Sequence, residues 1–482
     1  MGRNALRLHW DRPEVILRSK YGLRLRYGLR LVRVVVSDFH AGQICRLSKI
    51  SHVFDEVMPM VLHRKNDAAQ SIAIIGAGIV GCAMALALAL EGHQVTLFDP
   101  DAPGAGTSSG NAGGIVTGSV TPTATPDVLR ALPSILFDRS SPAVLRLRHS
   151  LKVLPWLSRF IRAGLPGEMS RIAAALHPLV SGSLIAHRAL AAQAGAAAMI
   201  TQEGWLKVFA SHQAYAATAL DRRLMDRFGV DYAILDHKAV TDLEPGLDPA
   251  LCAIGFYQPG CGFVRYPKGL AQAYFDAAAR QGAIHLKQHV RHVTRGSEGG
   301  VSVRVDDATH GFDKLVVAAG AWSASLVRQL GDRVSLDTER GYHLGFGAQT
   351  AGLMRGPVVL PEMSMVLSPM HDGLRLVSGD ELAGLTAPPD YKRIRALIPA
   401  ARRAVPALRD VEPEAQWMGF RPSTPDSLPV IGPSPKGNDV IYAFGHGHLG
   451  LTLAAITAQM VADMIAGRAP KIDPHPYRIT RF

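Results

Sequence analysis

Hydrophobic and polar positions change period several times along the chain, and the sharpest change falls within residues 71–99. Ile72, Ala73, Ile74 and Ile75 form a short apolar run that stops at Gly76, the pattern of a strand covered on both faces. Residues 82–90 are apolar throughout and predict a helix that Gly92 breaks. Val95, Thr96, Leu97 and Phe98 then predict a second strand ending at Asp99. From 122 to 198, Leu, Ile, Ala and Trp recur at helical spacing, punctuated by Pro133, Pro142, Pro155 and Pro178, with Trp156 as core. Residues 204–209 alternate like a strand, 215–228 return to helix and 242–246 make a turn.

A second composite region follows. Residues 266–282 predict an amphipathic helix, 284–286 and 301–305 strands, and 314–323 a strand running into a small-residue turn. Strands at 340–346 and 373–379 belong to another sheet and precede a helical stretch at 391–404. Near the end, a strand from Val440 leads into a glycine cluster and an apolar helix over 451–465 that Gly467 ends. Strand and helix alternate at both ends of the chain, which predicts an α/β fold with an inserted domain.

The first turn carries Gly76, Gly78 and Gly81 in G-x-G-x-x-G spacing, with Ile79 and Val80 between the last two. Gly76 permits a tight turn, Gly78 lets backbone approach a pyrophosphate, and Gly81 lets the helix pack closely on its strand. The helix N-terminus offers N–H groups and a partial positive charge to phosphates. Asp99 lies about 20 residues beyond the glycines, where a carboxylate can accept hydrogen bonds from an adenosine ribose. Together these features predict dinucleotide binding; glycines serving packing alone would leave Asp99 unexplained.

The loop after Asp99 is rich in Gly, Ser and Thr. Ser109 and Asn111 offer hydrogen bonds there, while Ala112 and Gly113 let backbone approach a flat ligand. At the far end, Gly445, Gly447, His448, Leu449 and Gly450 aim a second helix N-terminus at a ligand, where its field would stabilise negative charge.

Composition changes the picture in one place. The formal charge is +12, yet residues 1–66 hold 13 Lys/Arg against 5 Asp/Glu, two-thirds of that excess. Residues 1–67 are therefore a basic leader without the layout of a secretory signal, and its five acids are foreign to a transit peptide. We read Met58 or Met60 as the start, with the preceding residues disordered or upstream of it. Cys45, Cys82, Cys252 and Cys261 show no CxxC spacing, which excludes a zinc ribbon and fits a reducing, cytoplasmic setting. No metal site is expected.

The motifs IIGAGIVG from Ile74, TSSGNAGG from Thr107, VVAAGAWS from Val316, RGYHL from Arg340, GFRPSTPDSLPVIG from Gly419 and FGHGHLG from Phe444 resemble the FAD-dependent D-amino-acid oxidase and dehydrogenase superfamily. The likeness runs from about 71 to 474 and is closest to the bacterial D-amino-acid dehydrogenase branch. It implies a Rossmann-like FAD domain from 68–120, 262–335 and 420–482, with Gly320 at the cofactor. It also implies an inserted α+β substrate domain from 121–261 and 336–419, whose mixed antiparallel sheet roofs the flavin.

By this resemblance Arg421, in the GxRP motif, anchors the substrate carboxylate through a bidentate fork. Tyr342 offers its hydroxyl to the carboxylate or amine, and His446 meets the flavin edge. Each has a structural alternative: Arg421 as an ion pair, Tyr342 as strand core, His446 as a packing residue. The loop 107–114 holds no histidine, so FAD is expected to be noncovalent.

The implied reaction is oxidative deamination of D-amino acids or related secondary amines, with electrons passed to a quinone or another acceptor. The alternatives are an oxidase using oxygen, a flavin-binding subunit without turnover, an NAD-linked reductase, and an RNA-associated protein acting through the leader. Nucleic acid is not an expected partner, because the basic excess lacks aromatic interleaving. Homo- or hetero-oligomers and peripheral contact with the inner face of the cytoplasmic membrane stay open.

Overall fold

The apolar run at 72–75 is buried because strands flank it on both sides. Ser71–Ile75 pairs in parallel with Gln94–Phe98 and with Lys314–Val317. The full sheet runs Ile284–Leu286, Gln94–Phe98, Ser71–Ile75, Lys314–Val317, Gly437–Phe444 and Val430–Ser434, and only its last pair is antiparallel. Parallel neighbours need a crossover, and the helix Ile79–Leu90 supplies the first. Cys82, Met84, Leu86 and Leu88 of that helix are fully buried, which explains a stretch that is apolar all round instead of striped. It packs against the helices Pro267–Arg280 and Gly450–Ile465.

The computed structural model describes residues 7–8, 34–35, 69–130, 143–146, 149–297 and 299–482. It divides into two units, Met1–Arg64 and Lys65–Phe482. In the first, Arg7–Leu8 pairs antiparallel with Val34–Val35. The rest of the expected leader, with Met58 and Met60, lies outside the described residues, as do Pro133 and Pro142.

The expected helical region contains Ser150–Ala163 and Pro166–Ala194, the second closed by Gly195 in the left-handed conformation. Trp156 is core, and its indole donates to the Ser423 carbonyl at 3.0 Å. Pro166–Ala194 and 447–465 have the length and apolar composition of membrane spans, yet both use much of that surface on the core. The predicted strand Val301–Val305 forms, but outside the parallel sheet. Only Asp306 and Asp307 separate it from Ala308–Phe312, a hairpin-length link, so it joins a three-stranded antiparallel sheet with Val290–Arg295.

The other large sheet has nine strands. In order they are Ala415–Ser423, Asp337–Gly345, Gly373–Leu382, Met365–Met370, Val358–Leu360, Trp205–Phe209, Ile254–Gln258 and Ala233–Leu235, with Ala143–Leu145 beside Gly373–Leu382. Most pairs are antiparallel, but Val358–Leu360 with Trp205–Phe209 and Ala143–Leu145 with Gly373–Leu382 are parallel. Ala415–Ser423 stays in register with Asp337–Gly345 through Ser423↔Asp337. Residues 420–423 thus pair in this sheet, although the expected domain boundary stood at 420.

Candidate active site

The turns that leave the carboxyl ends of Ser71–Ile75, Gln94–Phe98, Lys314–Val317 and Gly437–Phe444 open onto one cavity of about 1040 Å³. That is the edge at which parallel sheets collect ligands, because successive loops and helix N-termini converge there. At its first corner, Gly76 has a φ of +111°, and a Cβ there would stand 2.4 Å from the Ala318 carbonyl oxygen. A Cβ on Gly81 would lie 1.8 Å from the Gly76 carbonyl oxygen, so this glycine serves helix packing and is not on the cavity wall. Gly76, Gly78, Ile79 and Val80 are on it. The first turn of Ile79–Leu90 carries no acid and no side-chain cap from Gly78, which leaves its positive end facing the cavity.

Asp99 closes this corner. Its Oδ2 accepts from the Ala77 N–H at 2.7 Å and its Oδ1 from the Asp101 N–H at 2.9 Å, so the carboxylate that lines the cavity also braces both turns. The loop beyond it is stitched from within. Asn111 Oδ1 accepts from Gly113 N at 2.8 Å, and its Nδ2 donates to the Ser108 carbonyl at 2.9 Å. Ser109 turns away, donating to the carbonyls of Ala105 and Gly106. The neighbouring Ser108 reaches the site instead: its Oγ accepts from Ile79 N at 2.9 Å and it lines the cavity. Two adjacent serines look alike in sequence, and the 3-10 turn Thr107–Ser109 decides which faces inward.

The opposite corner is the turn before Gly450–Ile465. Gly447, His448, Leu449 and Gly450 line the cavity, and the first turn of the helix again has no acid and no side-chain cap. Gly320, between the two corners, lines it too. Gly445 does not; its φ of +80° bends the chain, and a Cβ would stand 2.9 Å from Thr424. His446 sits on the wall, but its Nε2 is hydrogen-bonded to Thr457 Oγ1 at 3.0 Å, and burial pushes its pKa down to about 3. It is neutral at physiological pH. His448 is exposed on the cavity side.

The nine-stranded sheet forms the remaining wall. Directly opposed residues share a face, so Lys207, Val359, Val366, Val377, His343 and Trp417 make one row across six strands. All but His343 line the cavity. His343 stacks on Trp417 with ring centroids 5.0 Å apart and donates through Nδ1 to the Gly110 carbonyl at 3.0 Å. Burial and nearby Arg375 lower its pKa to about 4.

The next residue along the same strand, Tyr342, also lines the cavity. Tyr342 lies between Gly341 and His343, and its ring joins the cluster with Leu344, Leu374 and Leu376. The hydroxyl donates to Glu381 and accepts from Asp390 N at 3.3 Å. Burial and Glu381 raise its pKa to about 12. Tyr342 thus borders the cavity while its hydroxyl is engaged with Glu381 and Asp390.

Arg421 lines the cavity with its guanidinium over Gly341. Its Nη1 donates to the Gly379 carbonyl at 2.8 Å and pairs with Asp380. The residue directly across the strand pair is Glu339, which accepts from Ser423 Oγ at 2.9 Å. Burial, reinforced by Asp380, raises the Glu339 pKa to about 7. Sequence reasoning missed Ser108, Trp417, Asp380 and Glu339. It also missed Arg375, whose signal was an arginine inside an otherwise apolar strand, GLRLV.

The residues present fit FAD. Two helix N-termini with no acid in their first turns face one cavity and suit an anionic diphosphate and an electron-rich ring, Asp99 suits a ribose, and glycines occupy the wall where side chains would intrude. The volume is at the upper end of ordinary ligand pockets, which run to about 1,000 Å³. No cluster of His, Cys, Asp and Glu among the described residues could hold a metal ion.

A family model described as DAO, FAD dependent oxidoreductase, matches residues 71–464. Similar curated proteins include a D-amino-acid oxidase from Bradyrhizobium diazoefficiens, 34% identical over 421 residues that cover 85% of this chain and 98% of the relative. D-amino acid dehydrogenase 2 from Ralstonia nicotianae is 34% identical over 432 residues, covering 85% and 100%. Among solved structures, glycine oxidase from Geobacillus kaustophilus matches with a TM-score of 0.65 at 25% identity, over 86% of this chain and 99% of its own.

Proposed function

The chain belongs to the DAO family of FAD-dependent oxidoreductases, and on that premise we propose that it oxidatively deaminates D-amino acids or related secondary amines. The observation that carries this reading is Arg421: a guanidinium on the wall of the same cavity as Gly78 and Gly447, with an edge that donates no hydrogen bond to the described residues.

FAD bound in the cavity supplies a two-electron acceptor for the hydride that leaves the substrate α-carbon. The chain's part is placement. The Arg421 fork holds the carboxylate, which fixes the α-carbon beneath the sheet, and a planar guanidinium sets orientation as well as position. Val359, Val366 and Val377 give the roof an apolar surface that keeps water from the reacting bond. Neither His343 nor His446 is a base of useful strength, since burial holds both well below the usual histidine range. The amine is taken up neutral, its proton left to solvent, and water hydrolyses the product imine to the oxo acid and ammonia, or to the oxo acid and the remaining amine from a secondary substrate.

We assign the electrons to a quinone or similar acceptor, as the dehydrogenase relatives' names suggest; the oxidase name of the Bradyrhizobium relative favours oxygen as the second reading. Comparing hydrogen peroxide formation with reduction of a quinone analogue separates them. A quinone acceptor would bring the protein to a membrane surface from the cytoplasm. With no histidine in loop 107–114, FAD is held without a covalent bond, and acid precipitation would release it. The reading as a whole is tested by anaerobic flavin reduction across D- and L-amino acids and N-alkylated glycines. If none bleaches the flavin, a binding subunit replaces the enzyme.

A further inference from the structure

The Arg421 guanidinium is held at one corner and open along one edge. Nη1 donates to the Gly379 carbonyl at 2.8 Å and to the Asp380 carboxylate, while Nε and Nη2 make no hydrogen bond to a described residue. Those two nitrogens lie against Gly341: a Cβ there would stand 2.4 Å from Nη2 and 3.0 Å from Nε. Gly341 and Arg421 both line the cavity, whereas Asp380 is mostly exposed and does not. Asp380 is thus placed to act on Arg421 without touching what Arg421 binds.

The physical consequence concerns freedom of movement. An arginine side chain has many rotamers to lose, and a ligand that must order it binds correspondingly less tightly. Two acceptors on Nη1 and a neighbour without a side chain order the group beforehand. They also select which edge is presented. Of the two bidentate edges of a guanidinium, the one containing Nη1 is already used, and the Nε–Nη2 edge is left.

We propose that Asp380 is a positioning residue: with the Gly379 carbonyl it fixes Nη1 of Arg421, so that the Nε–Nη2 edge meets the substrate carboxylate as a preformed fork. Gly341 is part of the device, because any side chain there would displace the guanidinium. The inference rests on the proposed function, since it presupposes a carboxylated ligand at Arg421.

The test uses the holoenzyme, with the best substrate from the amino-acid panel for kinetics and benzoate as a carboxylate that binds without turnover. Benzoate affinity is read from the perturbed flavin absorbance. Asp380→Ala raises KM and the benzoate Kd about tenfold with kcat within about twofold of native, the split expected when placement of a ground-state contact is lost. Asp380→Asn keeps an oxygen that can accept from Nη1 and restores most of the native KM. Gly341→Ala raises KM with Asp380 intact. A native or lower KM in Asp380→Ala overturns the proposal, a lower one because Asp380 would then be competing with substrate. An Asp380→Asn variant no better than Asp380→Ala overturns it as well. Failure of the underlying reading looks different: Arg421→Ala would itself leave benzoate affinity unchanged.

Discussion

Nη1 of Arg375 donates to the Asn111 carbonyl at 3.0 Å, and so ties the nine-stranded sheet to the loop that follows Asp99. The same nitrogen reaches the Ser109 carbonyl at 3.1 Å, and the side chain is almost wholly buried. The roof and the cofactor loop are thereby one mechanical piece. Arg375→Met would leave two carbonyls without their charged donor, and the expected cost is about 2–3 kcal/mol of stability together with weaker FAD retention. Urea unfolding of the holoprotein and the flavin content after dialysis check it; native values for both would show that the loop does not depend on Arg375.

Gly76 and Gly78 should fail in different ways. Gly76→Ala forces a side chain at φ +111° and within 2.4 Å of backbone, so the fold loses more than about 2 kcal/mol. Gly78 has an ordinary φ of −66°, and Gly78→Val fits the backbone but fills the cradle. The expected outcome is a folded, colourless protein, seen as native circular dichroism without flavin absorbance.

Arg421→Ala is expected to cut kcat/KM for carboxylated substrates about a hundredfold or more while the protein stays yellow, because in the proposed function the fork contacts substrate and not the diphosphate cradle. Stopped-flow reduction under anaerobic conditions measures it. Native kinetics would remove Arg421 from the site.

Glu339 is expected to make substrate affinity depend on pH. Arg421 is faced by Asp380 from one strand and by Glu339 from another, with Asp337 beside it; of these, Glu339 is raised to about 7. Below that pH it is neutral, and above it a second negative charge competes for the guanidinium. KM for carboxylated substrates should therefore rise as pH increases through about 7, and Glu339→Gln should flatten the curve. Stability follows the same sign. The unfolded carboxyl ionises near 4.5 while the folded one holds its proton to about 7, so this contribution is complete below 4.5 and is lost between the two.

Tyr342→Phe is expected to change stability and not chemistry. Its hydroxyl donates to buried Glu381, which Arg146 also contacts, so removing it costs about 1–2 kcal/mol and leaves kcat within about twofold. A large fall in kcat with unchanged stability would instead give the hydroxyl a part in the chemistry.

The glycine spacing at Gly76, Gly78 and Gly81, the apolar runs on either side and the acid at Asp99 determined the strand–turn–helix–strand unit locally. Each is a rule about near neighbours, such as backbone freedom, burial on both faces or the reach of one turn, and such rules are written in consecutive residues. The motif at 444–450 was legible for the same reason. What only the tertiary structure decided is which side of an element each residue occupies and what waits there. A 3-10 turn chose Ser108 over Ser109, and the fold tied the Tyr342 hydroxyl to Glu381 while laying Gly341 under the Arg421 guanidinium. Register between strands 30 to 80 residues apart set Glu339 opposite Arg421 and put Asp380 within reach of its guanidinium. Pairing across such distances depends on the whole sheet assembling, and no local pattern in the chain encodes it.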